Sequence, residues 1–284
     1  MRTVGRPSRM TLLVLLCLAG GGVASLMVSR PPSPSGGGLV FAPGDVVAGA
    51  TLGEWSARQW QWVLSQPIGA NPGQDPTGAS CGDGQDGPVF FLPHNFPPCR
   101  VPADTVIFVP IVGTECSTVE PPPFTGTNEV DLRTCATVDV DRYTAIIVRI
   151  DGEAVPDVES FRGASPRFTL TLPEHNVLGV APGTAEAVAD GYQLLLAPLP
   201  PGAHEIMVHV ELADGTVLPD KVIQLMVVAA SAGERVHDHG RDLMTVIRWP
   251  IVARNDVAAT GAGFRAVHMT GIILLRRPSS DTPG

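Results

Sequence analysis

From residue 204 to 212 apolar and polar positions alternate. Ile206, Val208, Val210 and Leu212 share one parity, and Glu205, Met207, His209 and Glu211 the other. A period of two predicts a strand with one buried face, because successive side chains point to opposite sides of a sheet. Asp214-Gly215 follows. That pair predicts a two-residue type I′ hairpin loop, in which both central residues need positive φ. The stretch 187–228 has the same character throughout, with Pro200-Pro201-Gly202 as a further turn. The chain is organised around this sheet.

The same reading places strands at 144–150, with Ile146, Val148 and Ile150 on one face, and at 167–172, with Phe168, Leu170 and Leu172 inward. Shorter strands are expected at 88–92 and 105–112, and two more at 243–253 and 264–275. One helix is predicted, at 52–65. Leu52, Trp55, Gln59, Trp62 and Val63 follow helical spacing, and Pro67 ends it. Trp55 and Trp62 are expected to pack on the sheet. Trp60 lies off that stripe, so it is expected to be exposed and is the candidate platform for a glycan ring or a partner protein.

The N-terminus changes the picture from fold to location. Arg2, Arg6 and Arg9 precede an apolar run at 10–28, and Gly22-Val23-Ala24 offers small residues for cleavage before Ser25. Residues 1–24 therefore read as a signal peptide or an uncleaved N-terminal anchor. In both cases the body is expected outside the cytoplasm, in the cell envelope or the extracellular space. A Pro/Gly/Ser linker covers 25–45. A β-rich domain follows at 46–276: helix 46–66, loop-rich region 67–135, β core 136–230 and additional strands 231–276. Residues 277–284 are expected to be a disordered tail.

Composition excludes some partners. The chain has 284 residues and a formal charge of −9, and Lys221 is its single lysine. An acidic chain of this kind does not suit nucleic acid or an anionic membrane surface, so membrane contact is expected only through an uncleaved N-terminal segment. With 31 Gly and 28 Pro the chain is rich in turns, which fits an all-β protein better than a helical one.

Four cysteines follow the signal segment: Cys81, Cys99, Cys116 and Cys135. An even number in an exported chain predicts a disulfide framework, and the wide spacing does not fit a zinc site, which prefers close pairs. Of the three pairings, Cys81–Cys99 with Cys116–Cys135 closes the shortest loops. It is expected for that reason, with both bonds stapling the region least able to bury a core.

Two resemblances add to this. Trp55, Trp60 and Trp62 in W-x4-W-x-W are followed by Asn71-Pro72, Asp75-x-Thr77-Gly78, Cys81, the run Gly87 to Leu92, and Cys99-x-Val101-Pro102. Ser165-Pro166-x-Phe168, Leu178-Gly179 and Ala189-Asp190-Gly191-Tyr192 complete the series. Over roughly 52–210 this series resembles a group of exported bacterial proteins of unknown function, which implies location. Pro201-Gly202-x-His204-x-Ile206-x-Val208 with Asp214-Gly215 resembles the closing hairpin of Ig-like modules.

The candidate chemistry is sparse. His237-Asp238-His239 places two imidazoles on one face of an extended chain, a geometry that chelates a divalent metal such as zinc, copper or manganese, with His268 as a third ligand. The competing and expected reading is a solvated, charged turn. His204-Glu205 with His209 fails as a zinc-protease motif, since its two His are five apart on a period-two segment; His204 is expected to be a satisfied core or edge histidine. Asp75, Asp83 and Asp86 are spaced like cation ligands but lack the EF-hand pattern and read as turn formers. No phosphate loop of the G-x-x-x-x-G-K-S/T type is present. The expected fold is mostly β, an antiparallel β-sandwich, Ig-like or jelly-roll-like, with one N-terminal amphipathic helix and a disulfide-stapled loop region. The expected function is binding or structural, with a glycan or an envelope protein as partner and no cofactor. The alternative is a metal-dependent enzyme centred on His237 and His239.

Overall fold

The computed structural model describes residues 32–34, 37–85, 87–94 and 97–229. The predicted strands 243–253 and 264–275, the N-terminal segment and the tail lie outside the described residues.

Helix α1 spans Leu52–Leu64 and opens on a capping box: the Thr51 side chain accepts the Glu54 N–H, and the Glu54 carboxylate accepts the Thr51 N–H at 2.8 Å. Nine strands follow or flank it: β1 Val89–Phe91, β2 Cys99–Pro102, β3 Val106–Ser117, β4 Tyr143–Ile150, β5 Glu153–Ala154, β6 Phe168–Leu172, β7 Gly183–Leu196, β8 Gly202–Leu212 and β9 Lys221–Val228. A second helix, α2, spans Glu129–Val140.

The strands form two sheets, β1-β3-β7-β6 and β2-β9-β8-β4-β5. One apolar cluster joins them: Ile107, Leu194 and Leu196 from the first sheet meet Val148, Ile206, Ile223 and Leu225 from the second. The arrangement is sandwich-like. It is not purely antiparallel, however, because β1 pairs with β3 and β2 with β9 in parallel. The reason is the path of the chain. After β1 it crosses to the other sheet as β2 and then returns as β3 beside β1, and parallel neighbours need such a crossover. Alternation shows which face of a strand is buried but not which strand lies beside it.

The region 67–135, expected to be mostly loop, supplies β1, β2, β3 and α2. All twelve residues of β3 are buried, a pattern that alternation cannot predict. One face of the first sheet looks into the inter-sheet core. The opposite face is covered by α1, with Val63 and Leu64 against Leu170 and Ala187, while α2 covers the far end of the core-side face, with Leu132 and Ala136 against Cys116 and Val188. A strand covered on both faces reads as a continuous apolar run, as 106–112 does. Pro110 cannot donate to the ladder, and the register between β3 and β7 shifts between Pro110 and Val112. Beyond that bulge Gly113 pairs with Gly191, where a Cβ on Gly191 would lie 2.6 Å from the Gly113 Cα. Only glycine permits that approach.

In β8, Ile206, Val208 and Val210 are buried, on the predicted parity. The loop after it differs from the expectation. Of its residues only Gly215 has positive φ (82°), and Leu212 N–H donates to the Thr216 carbonyl at 2.8 Å. This is a three-residue loop, Ala213 to Gly215, rather than a two-residue type I′ turn. The Asp214 side chain accepts the Thr216 N–H at 2.9 Å, a local bond that holds the longer loop.

Candidate functional site

A candidate site lies between α1 and the loop before β1. Trp55 and Trp62 project from α1, and Phe91 at the end of β1 packs against both, with ring centroids at 6.0 and 5.8 Å. Trp55 Nε1 donates to the Val47 carbonyl and Trp62 Nε1 to the Asp83 carbonyl, each at 2.8 Å. Both indole donors are therefore satisfied within the protein, and with the rings only 3% and 7% exposed the apolar surface open to a ligand comes mainly from Phe91 and Pro88.

The opposite wall is the loop 81–88, which is fixed at several points. A disulfide joins Cys81 to Cys99 at the start of β2. The Gln85 amide donates to the Cys81 carbonyl and, at 3.0 Å, to the Phe91 carbonyl, and it accepts the Phe91 N–H at 2.6 Å. Gly84 has φ +66°, and a Cβ there would come within 2.9 Å of Gln66 Nε2. The wall is thus held by a covalent bond, a clamped amide and a left-handed glycine.

Between helix and loop runs a groove of about 240 Å³, lined by Trp55, Arg58, Trp62, Gln85, Pro88 and Phe91. Arg58 and Glu54 are the exposed residues of α1. The Arg58 guanidinium sits 4.3 Å from the Trp55 ring centroid, a cation–π stack. It makes no hydrogen bond or ion pair among the described residues, so its donors face the groove mouth and solvent. A second depression, of about 360 Å³, is lined by Leu39, Val40, Ile150, Val155, Pro156 and Phe161 and holds no cation.

The candidate predicted from sequence, Trp60, is not a surface platform. It is 3% exposed and stacks on His94 at 4.4 Å. The helical stripe failed here because α1 is covered on more than one side: the sheet takes one face, and the segment 67–98 wraps over the others. Asn71 Nδ2 donates to the Val63 carbonyl at 2.6 Å, and Gln59 Nε2 approaches His94 Nδ1 at 3.3 Å. Burial drives the His94 pKa down to about 3, with Lys221 adding to the effect, so His94 is neutral and acts as a core residue.

The metal candidates His237, His239 and His268 lie outside the described residues, as does Asp86. Among the described residues no group of three His, Cys, Asp or Glu is placed to hold a metal. Asp75 is occupied by its own turn: it accepts Thr77 Oγ1 at 2.6 Å, Thr77 N–H at 2.8 Å and Ser80 N–H at 2.9 Å. Those bonds, led by the Thr77 hydroxyl, hold its pKa down to about 2. His204 is a satisfied histidine. Its Nδ1 meets Asp151 Oδ2 at 2.7 Å and its Nε2 the Pro200 carbonyl at 2.8 Å.

The second disulfide, Cys116–Cys135, joins β3 to α2, so Cys135 lies on a helix rather than in a loop. Sequence reasoning missed that helix, although its signals are present. Leu132, Ala136 and Val140 recur every four residues, and Asn128 caps it by accepting the N–H groups of Val130 and Asp131. It also missed Arg58, whose helical position beside Trp55 was readable but whose groove needs the distant loop 81–88.

No family model matches the chain, and no curated protein matches it. Among solved structures it is similar to the fibronectin(III)-like modules of Clostridium thermocellum CbhA. That likeness has 15% identity and a TM-score of 0.18, and covers 34% of this chain and 35% of that one. The chain thus matches about a third of the length of that structure.

Proposed function

We propose that this chain is an exported, disulfide-stapled binding module whose ligand seat is the groove beside α1, and that the ligand is a sugar ring bearing a carboxylate. The observation that carries this reading is Arg58, an exposed guanidinium stacked at 4.3 Å on Trp55, with the Glu54 carboxylate one turn earlier on α1 as a charged neighbour but no ion pair formed among the described residues. Apolar carbon of Pro88 and Phe91 on the walls suits the C–H face of a sugar ring, and a guanidinium at the mouth suits a carboxylate through two parallel hydrogen bonds. Stacking on Trp55 fixes the guanidinium plane, which lowers the entropy lost when an anion binds. Residues 32–229 carry 23 acids against eight Lys and Arg, so a lone cation in an aromatic groove is a selective feature on this surface.

Export is supported by the charged and apolar N-terminal segment and by two disulfides, which persist in oxidising compartments. Among the described residues no helix is long and apolar enough to cross a membrane. Titration calorimetry with a panel of uronic-acid oligosaccharides, their neutral counterparts and acidic peptides tests the ligand class. Binding of the carboxylated sugars alone, lost in Arg58→Gln, is the expected result. Equal binding of neutral sugars, preference for acidic peptides, or indifference to Arg58→Gln overturns it.

A further inference from the structure

The outer face of the five-stranded sheet is too apolar for a surface left to water. Its outward positions include Ile147 on β4, Met207 on β8, and Val222 and Met226 on β9. Ile147, Val222 and Met226 are 45%, 48% and 41% exposed. The register puts Met207 between Arg149 and Val222, and Met226 between Ala203 and Arg100, with the hydrogen-bonded Glu205–Gln224 pair separating the two rungs. Ile147 is opposite His209 and diagonal to Met207, so Ile147, Met207 and Val222 form a diagonal apolar band across three strands, and Met226 is a separate apolar position beyond Gln224. Charged groups stand within and around it: Glu205 on β8, hydrogen-bonded to Gln224, interrupts it, and Glu211, Asp220, Arg149 and Arg100 surround it.

The chain itself holds a matching segment. After β9 ends at Val228, residues 243–253 read LMTVIRWPIVA and residues 264–275 read FRAVHMTGIILL. Both runs are mostly apolar and need cover from water. Their charges complement the body. Residues 231–284 carry seven Arg against five acids, and within 243–275 the count is three Arg against one Asp. Length fits as well. The runs have 11 and 12 residues beside a β8 of 11. The polar stretch 229–242 between β9 and the first run spans up to ~46 Å at about 3.3 Å per residue. A segment tethered that close to the face reaches it at high effective concentration.

We propose that residues 243–275 dock on the outer face of the five-stranded sheet and cover Ile147, Met207, Val222 and Met226. The thioether of Met226 reports this directly, because sulfoxide formation follows exposure. Dilute peroxide is applied to the full-length protein and Met226 oxidation is followed by peptide mapping. In the native protein Met226 is expected to oxidise several-fold more slowly than in urea. A rate equal to that in urea overturns the proposal. In parallel, trypsin cleavage at Arg248, Arg254 and Arg265 is compared between the unsubstituted chain and a Val222→Glu, Met226→Glu variant. The expected result is resistance in the first and several-fold faster cleavage in the second, with the disulfide-linked body intact. Immediate cleavage in the unsubstituted chain overturns the proposal, and so does protection that the substitutions leave unchanged. Protection that disappears on dilution assigns the face to a second copy of the chain and overturns it too.

Discussion

Arg162 grips Asp190 with two arms of its guanidinium, Nη2 at 2.7 Å from Oδ2 and Nε at 3.2 Å from Oδ1, while its Nη1 meets Asp141 at 2.7 Å. The Asp190 side chain is only 9% exposed. One cation therefore ties the loop before β6 to the middle of β7 and to the C-terminal end of α2. Removing Arg162 leaves a carboxylate buried without its partner, which costs far more than the pair itself contributes. Arg162→Ala is expected to lower unfolding free energy by about 3 kcal/mol. Arg167→Ala breaks an exposed pair with Glu186 and is expected to cost roughly 0.2–1 kcal/mol. Urea unfolding of the two variants side by side checks the order; equal losses would sink the assignment.

The two disulfides have separable consequences. Cys81–Cys99 holds the loop that walls the groove, whereas Cys116–Cys135 holds α2 against β3. Each closes a loop of similar length, with sequence separations of 18 and 19, so each removal is expected to cost about 3 kcal/mol in the chain-entropy model. Binding distinguishes them. At a temperature where both variants are folded, the Cys81→Ser, Cys99→Ser pair should lose ligand binding and the Cys116→Ser, Cys135→Ser pair should keep it. Calorimetry showing the reverse would move the site away from loop 81–88.

The extent to which these features were legible varies with how local their cause is. The buried parity of β8 and the Cys pairings follow from alternation and loop length, quantities a single segment carries. Trp60 was misplaced because its environment is made by residues 67–98, which wrap a helix that already had one buried face. The mixed sheets were illegible for the same reason: β1 and β2 are three and four residues long, and their partners lie in other segments. The type I′ turn failed on one residue, Asp214, whose side chain found the Thr216 N–H and so stabilised a longer loop. Arg58 shows the limit for function, since neither its stacking partner's exposure nor the opposing wall is written near it.

Asp151 and His204 give a pH dependence of definite sign. Burial alone pulls the His204 pKa down, but the bonds to Asp151 and the Pro200 carbonyl, with the Asp151 charge, outweigh it and raise the pKa. For Asp151, burial raises the pKa and is outweighed by the bonds from His204 and the Glu205 N–H, leaving it lowered. A raised histidine contributes stability that is complete below its unfolded pKa of about 6.5 and disappears as pH rises through the folded value. A lowered aspartate contributes stability present above about 3.9 and lost as pH falls through its folded value. The pair therefore stabilises most between those limits. Melting curves from pH 5.5 to 8 should fall less steeply in Asp151→Asn than in the unsubstituted protein. The same slope in both would show that the pair has no such role.

Glu115 supplies a second contribution of the same sign. It is 1% exposed at the end of β3, neither of its carboxyl oxygens finds a donor, and its neighbour Glu120 is 4% exposed and accepts the Ser117 hydroxyl at 2.8 Å. Burial first, and the Glu120 carboxylate second, push the Glu115 pKa well above its ordinary value. Glu115 is then neutral in the folded state over a range where the unfolded chain has released its proton. In that window the folded state binds more protons, so stability falls as pH rises from about 4.3 toward the folded pKa. Glu115→Gln keeps the shape and removes the titration. It is expected to flatten the slope and to be more stable than the unsubstituted protein at pH 9, with a smaller difference at pH 5. Glu120→Gln removes the repulsion, alters the side-chain hydrogen bond between the two, and should flatten the slope in part. Urea unfolding at pH 5, 7 and 9 resolves these cases, with Asp151→Asn as the background that removes the histidine effect. If Glu115→Gln is less stable than the unsubstituted protein at pH 9, the carboxyl is instead required as an anion, and its burial serves a charge rather than a proton.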